Sequence, residues 1–120
     1  MAGRDIELRA FRLSKGALAW VRTRTPRYFA EGDVLRQFAR AVTSVGANLE
    51  EARAAESKAD FVHKCAVARK EAFEAAYWLR LLADETDADP APGMLAQEID
   101  EICSILTAIQ RNSGVSRRRG

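Results

Sequence analysis

One histidine, two cysteines and a few helix-spaced carboxylates are the groups in this chain best suited to catalysis. A carboxylate-bridged metal centre in a helical bundle needs Glu from two helices and a Glu-x-x-His from each of two others. The chain offers His63 alone, within Asp60-x-x-His63. On a helix, His63 falls about 160° from the centre of the apolar stripe around it, on the solvent side. Glu71 and Glu74 form an i, i+3 pair that suits salt bridging to Lys70 or Arg40. Cys65 and Cys103 sit among apolar residues at helical spacing, the setting of buried free thiols, with no base–nucleophile set around either. No Gly-rich phosphate loop is present. The reading is of a protein that is not an enzyme, with no catalytic, metal or cofactor site and no small-molecule substrate.

The more informative polar residues line one side of a helix. Gln37, Ser44, Asn48 and Glu51, with Arg40 among them, border an apolar seam where leucine would be the simpler choice. Asn48 falls about 80° from the centre of that seam. Semi-buried polar groups must find partners, since an unpaired one costs about 1–3 kcal/mol. The expected partners are Glu71, Glu74 or backbone carbonyls on the next helix. Gln37, Arg40, Ser44, Asn48, Glu51, Glu71 and Glu74 are therefore read as a packing network that fixes helix register, with a binding pocket as the functional alternative.

Four helices must position these groups. The first runs from about Asp5 to Arg22, with Ile6, Ala10, Leu13, Ala17 and Trp20 on one face, widened by Phe11, Leu18 and Val21. Pro26 disfavours helix at Thr25, the segment to Gly32 reads as loop, and Asp33 is placed to cap the second helix. That helix aligns Val34, Phe38, Val42, Val45, Leu49 and Ala52, with Gly46 at the margin allowing close helix approach. The third aligns Phe61, Cys65, Ala68, Ala72, Ala75 and Leu79. From Phe38 to Phe61 the stripe would rotate by about 140° on one continuous rod, so a turn is expected near Glu56–Ser57, where Ser57 and Asp60 resemble a capping box. Asp87 to Gly93, with Pro90 and Pro92, reads as linker. Leu95, Ile99, Ile102, Leu106 and Ile109 then form a regular 4-3-4-3 seam. These patterns predict an all-α, antiparallel up-and-down four-helix bundle over residues 1–112, with a flexible basic tail at 113–120.

On the third helix Val67, Phe73, Tyr77, Trp78 and Leu81 lie about 100–160° from the centre of the core stripe. One bundle core cannot take them all, so they are read as an oligomer interface. Net charge is only +2, but residues 1–40 carry nine bases against four acids while residues 84–101 carry seven acids and no base. Such asymmetry suits subunit pairing and nucleic acid alike. Arg4, Arg9, Arg12 and Lys15, with Arg117, Arg118 and Arg119 in the tail, are the candidate RNA contacts. No segment approaches the roughly 20 apolar residues that cross a bilayer, and no secretory pattern opens the chain, so a soluble cytoplasmic protein with no membrane partner is expected.

The run Gln37-x-x-Arg40, Ser44-x-x-x-Asn48-x-x-Glu51-Ala52, then Ser57-Lys58-x-Asp60-Phe61 and Lys70-Glu71-Ala72-x-Glu74-x-x-x-Trp78-Leu79, resembles the 23S rRNA intervening-sequence protein family. The resemblance covers about Phe11 to Ile109. It departs in the first loop, where the family often has Phe-Pro followed by acidic residues and this chain has Thr25-Pro26-Arg27-Tyr28. It implies a four-helix bundle assembling as a ring-like homopentamer, with no established enzymatic activity. A distant branch holds basic pentamers that work with a reverse transcriptase and RNA. The expected function is a non-catalytic oligomeric scaffold whose partner is itself. The alternative is an accessory protein binding RNA, or an RNA-processing protein, through its basic surface and tail.

Overall fold

The computed structural model describes residues 2–84, 86 and 88–113, with side chains placed from Ile6 onward. Four helices account for nearly all of it: α1 (Ala2–Thr23), α2 (Phe29–Arg53), α3 (Lys58–Leu82) and α4 (Ala91–Asn112). No strand occurs among the described residues. Each helix packs on two others in cyclic order, α1 on α2, α2 on α3, α3 on α4 and α4 on α1, so that α1 and α3 stand diagonally across a four-helix bundle.

The core follows the apolar spacing. Ile6, Ala10, Leu13, Ala17 and Trp20 of α1 meet Phe38, Val42, Val45 and Leu49 of α2, the small-residue row Ala68, Ala72 and Ala75 of α3, and Ile99, Ile102 and Leu106 of α4. Trp20 and Phe38 pack edge to face, with ring centroids 5.8 Å apart. Leu35 rather than Val34 is the buried apolar residue of α2's first turns.

Three element boundaries differ from the sequence reading. α1 begins at Ala2, ahead of Asp5. α2 begins at Phe29, so Phe29 to Gly32 are helical and Asp33 lies inside the helix, paired with Arg36 one turn on. The stop signal at Pro26 is satisfied within a short loop, and Glu31 in the new first turn ties that loop down. α4 begins at Ala91, so Pro92 and Gly93 belong to its first turn. Proline is tolerated there because its missing N–H is one that no helical carbonyl would meet. Asp89 accepts the Ala91 N–H at 2.9 Å, doing what the Pro90 side chain cannot. The α2–α3 turn matches the expected place: Ser57 caps α3 by accepting the Asp60 N–H at 3.1 Å.

Gly46 lies where α2 runs against α1. A Cβ there would come 3.6 Å from Ser14 Oγ and 3.7 Å from the backbone of Ala10, ordinary contact distances. Gly46→Ala should therefore stabilise the protein by about 0.5–1 kcal/mol through helix propensity. Gly46→Leu, driven into the α1 backbone, should destabilise it by about 1–3 kcal/mol. Urea melts of the two variants check the opposite signs, and a destabilised alanine variant would contradict the contact distances.

Candidate functional site

The groups suited to chemistry are scattered. His63 is exposed on α3. Cys65 and Cys103 are buried free thiols, and burial pushes both thiol pKa values up, away from the reactive thiolate. Among the described residues no three His, Cys, Asp or Glu side chains stand close enough together to hold a metal ion.

The polar residues of α2 divide into three separate groups. Arg40 bridges α2 and α3: its Nε donates to Gln37 Oε1 at 3.3 Å, Nη1 to Glu71 at 3.3 Å and Nη2 to Glu74. Trp78 Nε1 donates to the same Glu74 carboxylate at 3.2 Å. Ser44 and Asn48 form the second group. Asn48 Nδ2 donates to the Ser44 carbonyl at 2.9 Å and to its hydroxyl at 3.1 Å, within its own helix. The expectation that Asn48 would reach Glu71, Glu74 or an α3 carbonyl is corrected here, because the carbonyl one turn back already lies within the reach of its short side chain. Glu51 stands apart and accepts from Lys64 Nζ at 2.7 Å, which raises the lysine's pKa. The seven residues thus form ties at three places along the α2–α3 seam, and only the Arg40 and Glu51 ties cross it.

The outer side of α3 is apolar. Phe73 is 50% exposed, Tyr77 51% and Leu81 54%, at i, i+4 and i+8 along one line. The Arg69 guanidinium lies 4.9 Å over the Phe73 ring and also donates to Thr107 of α4 at 2.8 Å. Trp78 turns inward and packs against the core, its ring edge-on to Tyr77, and Val67 is partly buried.

A second exposed surface, with Leu8 and Phe11 set among charged side chains, escaped the sequence reading. Phe11, expected to widen the core face of α1, is 57% exposed and lines a groove between α1 and α2 of about 500 Å³ with Glu7, Leu8, Glu50 and Arg53. The groove continues over the small residues Thr43, Gly46 and Ala47. The signal was present, since Phe11 falls about 140° from the centre of its own helix's core stripe.

Of the candidate RNA contacts, Arg9 is occupied. Its guanidinium donates to both Glu98 oxygens at 2.9 and 2.8 Å and to Glu101 at 2.6 Å, tying α1 to α4 and raising its pKa further. Arg12 and Lys15 are exposed on α1. The Arg4 side chain and Arg117, Arg118 and Arg119 lie outside the described residues. Tyr28 and Phe29, at the start of α2, are both exposed, Phe29 by 91%.

Glu31 is the buried polar residue that sequence reasoning missed. It is 2% exposed and accepts the Arg27 backbone N–H at 2.8 Å and its guanidinium at 3.0 Å, with Arg24 Nη2 at 3.7 Å. Arg27 extends the tie to Asp84 at 3.5 Å, joining the α1–α2 and α3–α4 connections at one end of the bundle. A Glu in the third helical position reaching back across the helix start was the available signal.

With the geometry in hand, likeness to known proteins can be placed. The family model described as 23S rRNA-intervening sequence protein matches residues 6–108. The crystal structure of a protein of unknown function from the S23 ribosomal protein family of Bacteroides thetaiotaomicron superposes with a TM-score of 0.79 at 27% identity, covering 92% of this chain and 99% of that one. No curated protein matches the sequence.

Proposed function

We infer the function from the premise that this chain belongs to the 23S rRNA-intervening sequence protein family. The proposal is a non-catalytic scaffold whose working form is a ring-like homo-oligomer of five chains. The observation that carries it is the outer line of α3, where Phe73, Tyr77 and Leu81 stay half exposed in the isolated chain. Burying a large apolar side chain is worth about 1.5–3 kcal/mol, so several together offset the entropy lost on assembly. The Arg40 ties to Glu71 and Glu74 support this by holding α2 and α3 as one rigid hairpin behind that line. The scaffold acts in the cytoplasm, where its two buried thiols stay reduced.

A second reading, RNA binding, is favoured by Arg12, Lys15 and Arg22, which lie exposed on one side of α1 and make no ion pair among the described residues. One preparation tests both readings. Light scattering coupled to size exclusion should give a mass near five times 13.3 kDa, and a clean monomer at micromolar concentration would sink the scaffold. Filter binding to structured RNA over a salt series should show affinity falling steeply with salt if these bases meet phosphates. No binding at low salt would remove the second reading.

A further inference from the structure

We propose that the cavity at the end of the bundle where α1 begins and α2 ends binds a small primary amine, its aromatic or short aliphatic body held by the core and its ammonium by Glu7. The cavity measures about 150 Å³ and is walled by Ile6, Leu49, Ala52, Phe61, Cys65 and Ile109, at least one residue from each helix. Every wall comes from one chain, so the site stands apart from the question of assembly. Ala52 and Cys65 are small for buried core positions, and Phe61 and Ile109 on the same cavity are only partly covered. An apolar space of about this volume stays dry, because water finds too few hydrogen-bonding partners there, and takes up one benzene-sized molecule.

Glu7, which also lines the cavity, sets the polarity of the occupant. Its side chain is only 10% exposed, and its Oε2 is shut off from water without accepting a hydrogen bond. Arg53 Nε stands 3.8 Å from that oxygen, beyond hydrogen-bond reach, and the same guanidinium is shared with Glu50 at 3.6 Å. Two carboxylates against one guanidinium leave a negative charge over. The Glu7 carboxylate is turned towards the interior: after burial itself, its charge is what pushes up the Cys65 thiol on the cavity wall. A buried acceptor without a donor is what an ammonium satisfies, through a charge-assisted hydrogen bond. A plain hydrocarbon would leave that oxygen bare, and an anionic guest would meet like charge. Arg53 lines the cavity too and is 62% exposed, so it can swing into water and let the ammonium reach Oε2.

The test is calorimetric titration of the full chain with benzylamine and with toluene, wild type beside Glu7→Gln. Benzylamine should bind one per wild-type chain with a Kd below about 1 mM, and Glu7→Gln should weaken it about tenfold. Toluene, which has no donor, should bind the two proteins alike. No benzylamine binding at about 5 mM overturns the site, and equal benzylamine affinity for the two proteins overturns the choice of an amine. Toluene affinity that falls along with the amine's would make Glu7 a residue of the fold alone, which also overturns it. Ala52→Leu, which fills the cavity, should abolish both titrations, and binding that survives it lies elsewhere and overturns the site. Should that variant fail to fold, amide NMR shifts of the wild type on adding benzylamine locate the guest. Shifts clustered at Leu49, Ala52, Phe61 and Cys65 support the cavity; shifts confined to other residues overturn it.

Discussion

Phe38→Ala is expected to cost about 3–5 kcal/mol of folding stability, the largest effect of any single truncation proposed for this protein. The side chain is fully buried, and its ring meets Trp20 edge to face across the α1–α2 seam. Removing it deletes the aromatic pair with Trp20 and leaves a cavity in the buried core, where close packing limits how far neighbours can move in. Because a domain of this size is stable by only about 5–15 kcal/mol, the variant should melt far below the wild type. Phe38→Leu, which keeps most of the volume, should lose less than half as much. Chemical unfolding at fixed protein concentration is the measurement, since assembly adds to apparent stability. A loss below about 1 kcal/mol would mean that the core repacks around the gap.

The second large effect is expected at Glu31. Glu31→Ala should cost about 2–3 kcal/mol, because it strands the Arg27 backbone N–H and takes the carboxylate away from Arg24 and Arg27. Much of the Arg27 guanidinium is open to solvent, so the backbone bond carries most of the loss. Glu31→Gln, which keeps an acceptor for that N–H, should lose less. The pH dependence gives a second readout. The Arg27 guanidinium, then its backbone N–H, hold the Glu31 carboxyl below its ordinary value of 4.5. A depressed folded pKa contributes stability that is complete above the unfolded value and lost as pH falls through the folded one. The gap between wild type and Glu31→Ala should therefore be constant near neutrality and shrink below about pH 4.5. A gap that widened in acid would contradict the assignment.

Glu31 also marks the boundary of what the sequence could tell. The helices were legible because each carries an apolar face at 3.6-residue spacing long enough to outvote single residues, and the α2–α3 turn was legible because the phase of that face jumps there. The starts of α2 and α4 were not, because Pro26, Asp33, Pro92 and Gly93 are signals whose meaning depends on a few residues of register. Pro92 reads as linker or as first turn with equal ease until the neighbouring Asp89 bond is seen. The Arg40 ties to Glu71 and Glu74 could be anticipated from residue types on facing helices. The Asn48 bond could not, since a local carbonyl competes with every distant partner and only coordinates decide. Phe11 was misplaced for a different reason: its hydrophobicity was weighed above its angle, although the angle alone put it outside.

The seam between α1 and α4, where Arg9 grips Glu98 and Glu101, has a consequence in time. It is the narrowest of the four seams, and it alone joins helices that are not consecutive, its ion pair linking residues 89 apart in the chain. The other three close over short connections, which costs little chain entropy and happens early; the last must wait for the whole chain to arrange itself. Arg9→Ala should accordingly speed unfolding several-fold and leave the folding rate nearly unchanged. Slowed folding with unchanged unfolding would contradict that order. Amide hydrogens of α1 and α4 should exchange sooner than those of α2 and α3. On that expectation the molecule should breathe by letting its first and last helices lift away, while the central hairpin that carries the exposed apolar line of α3 endures longest.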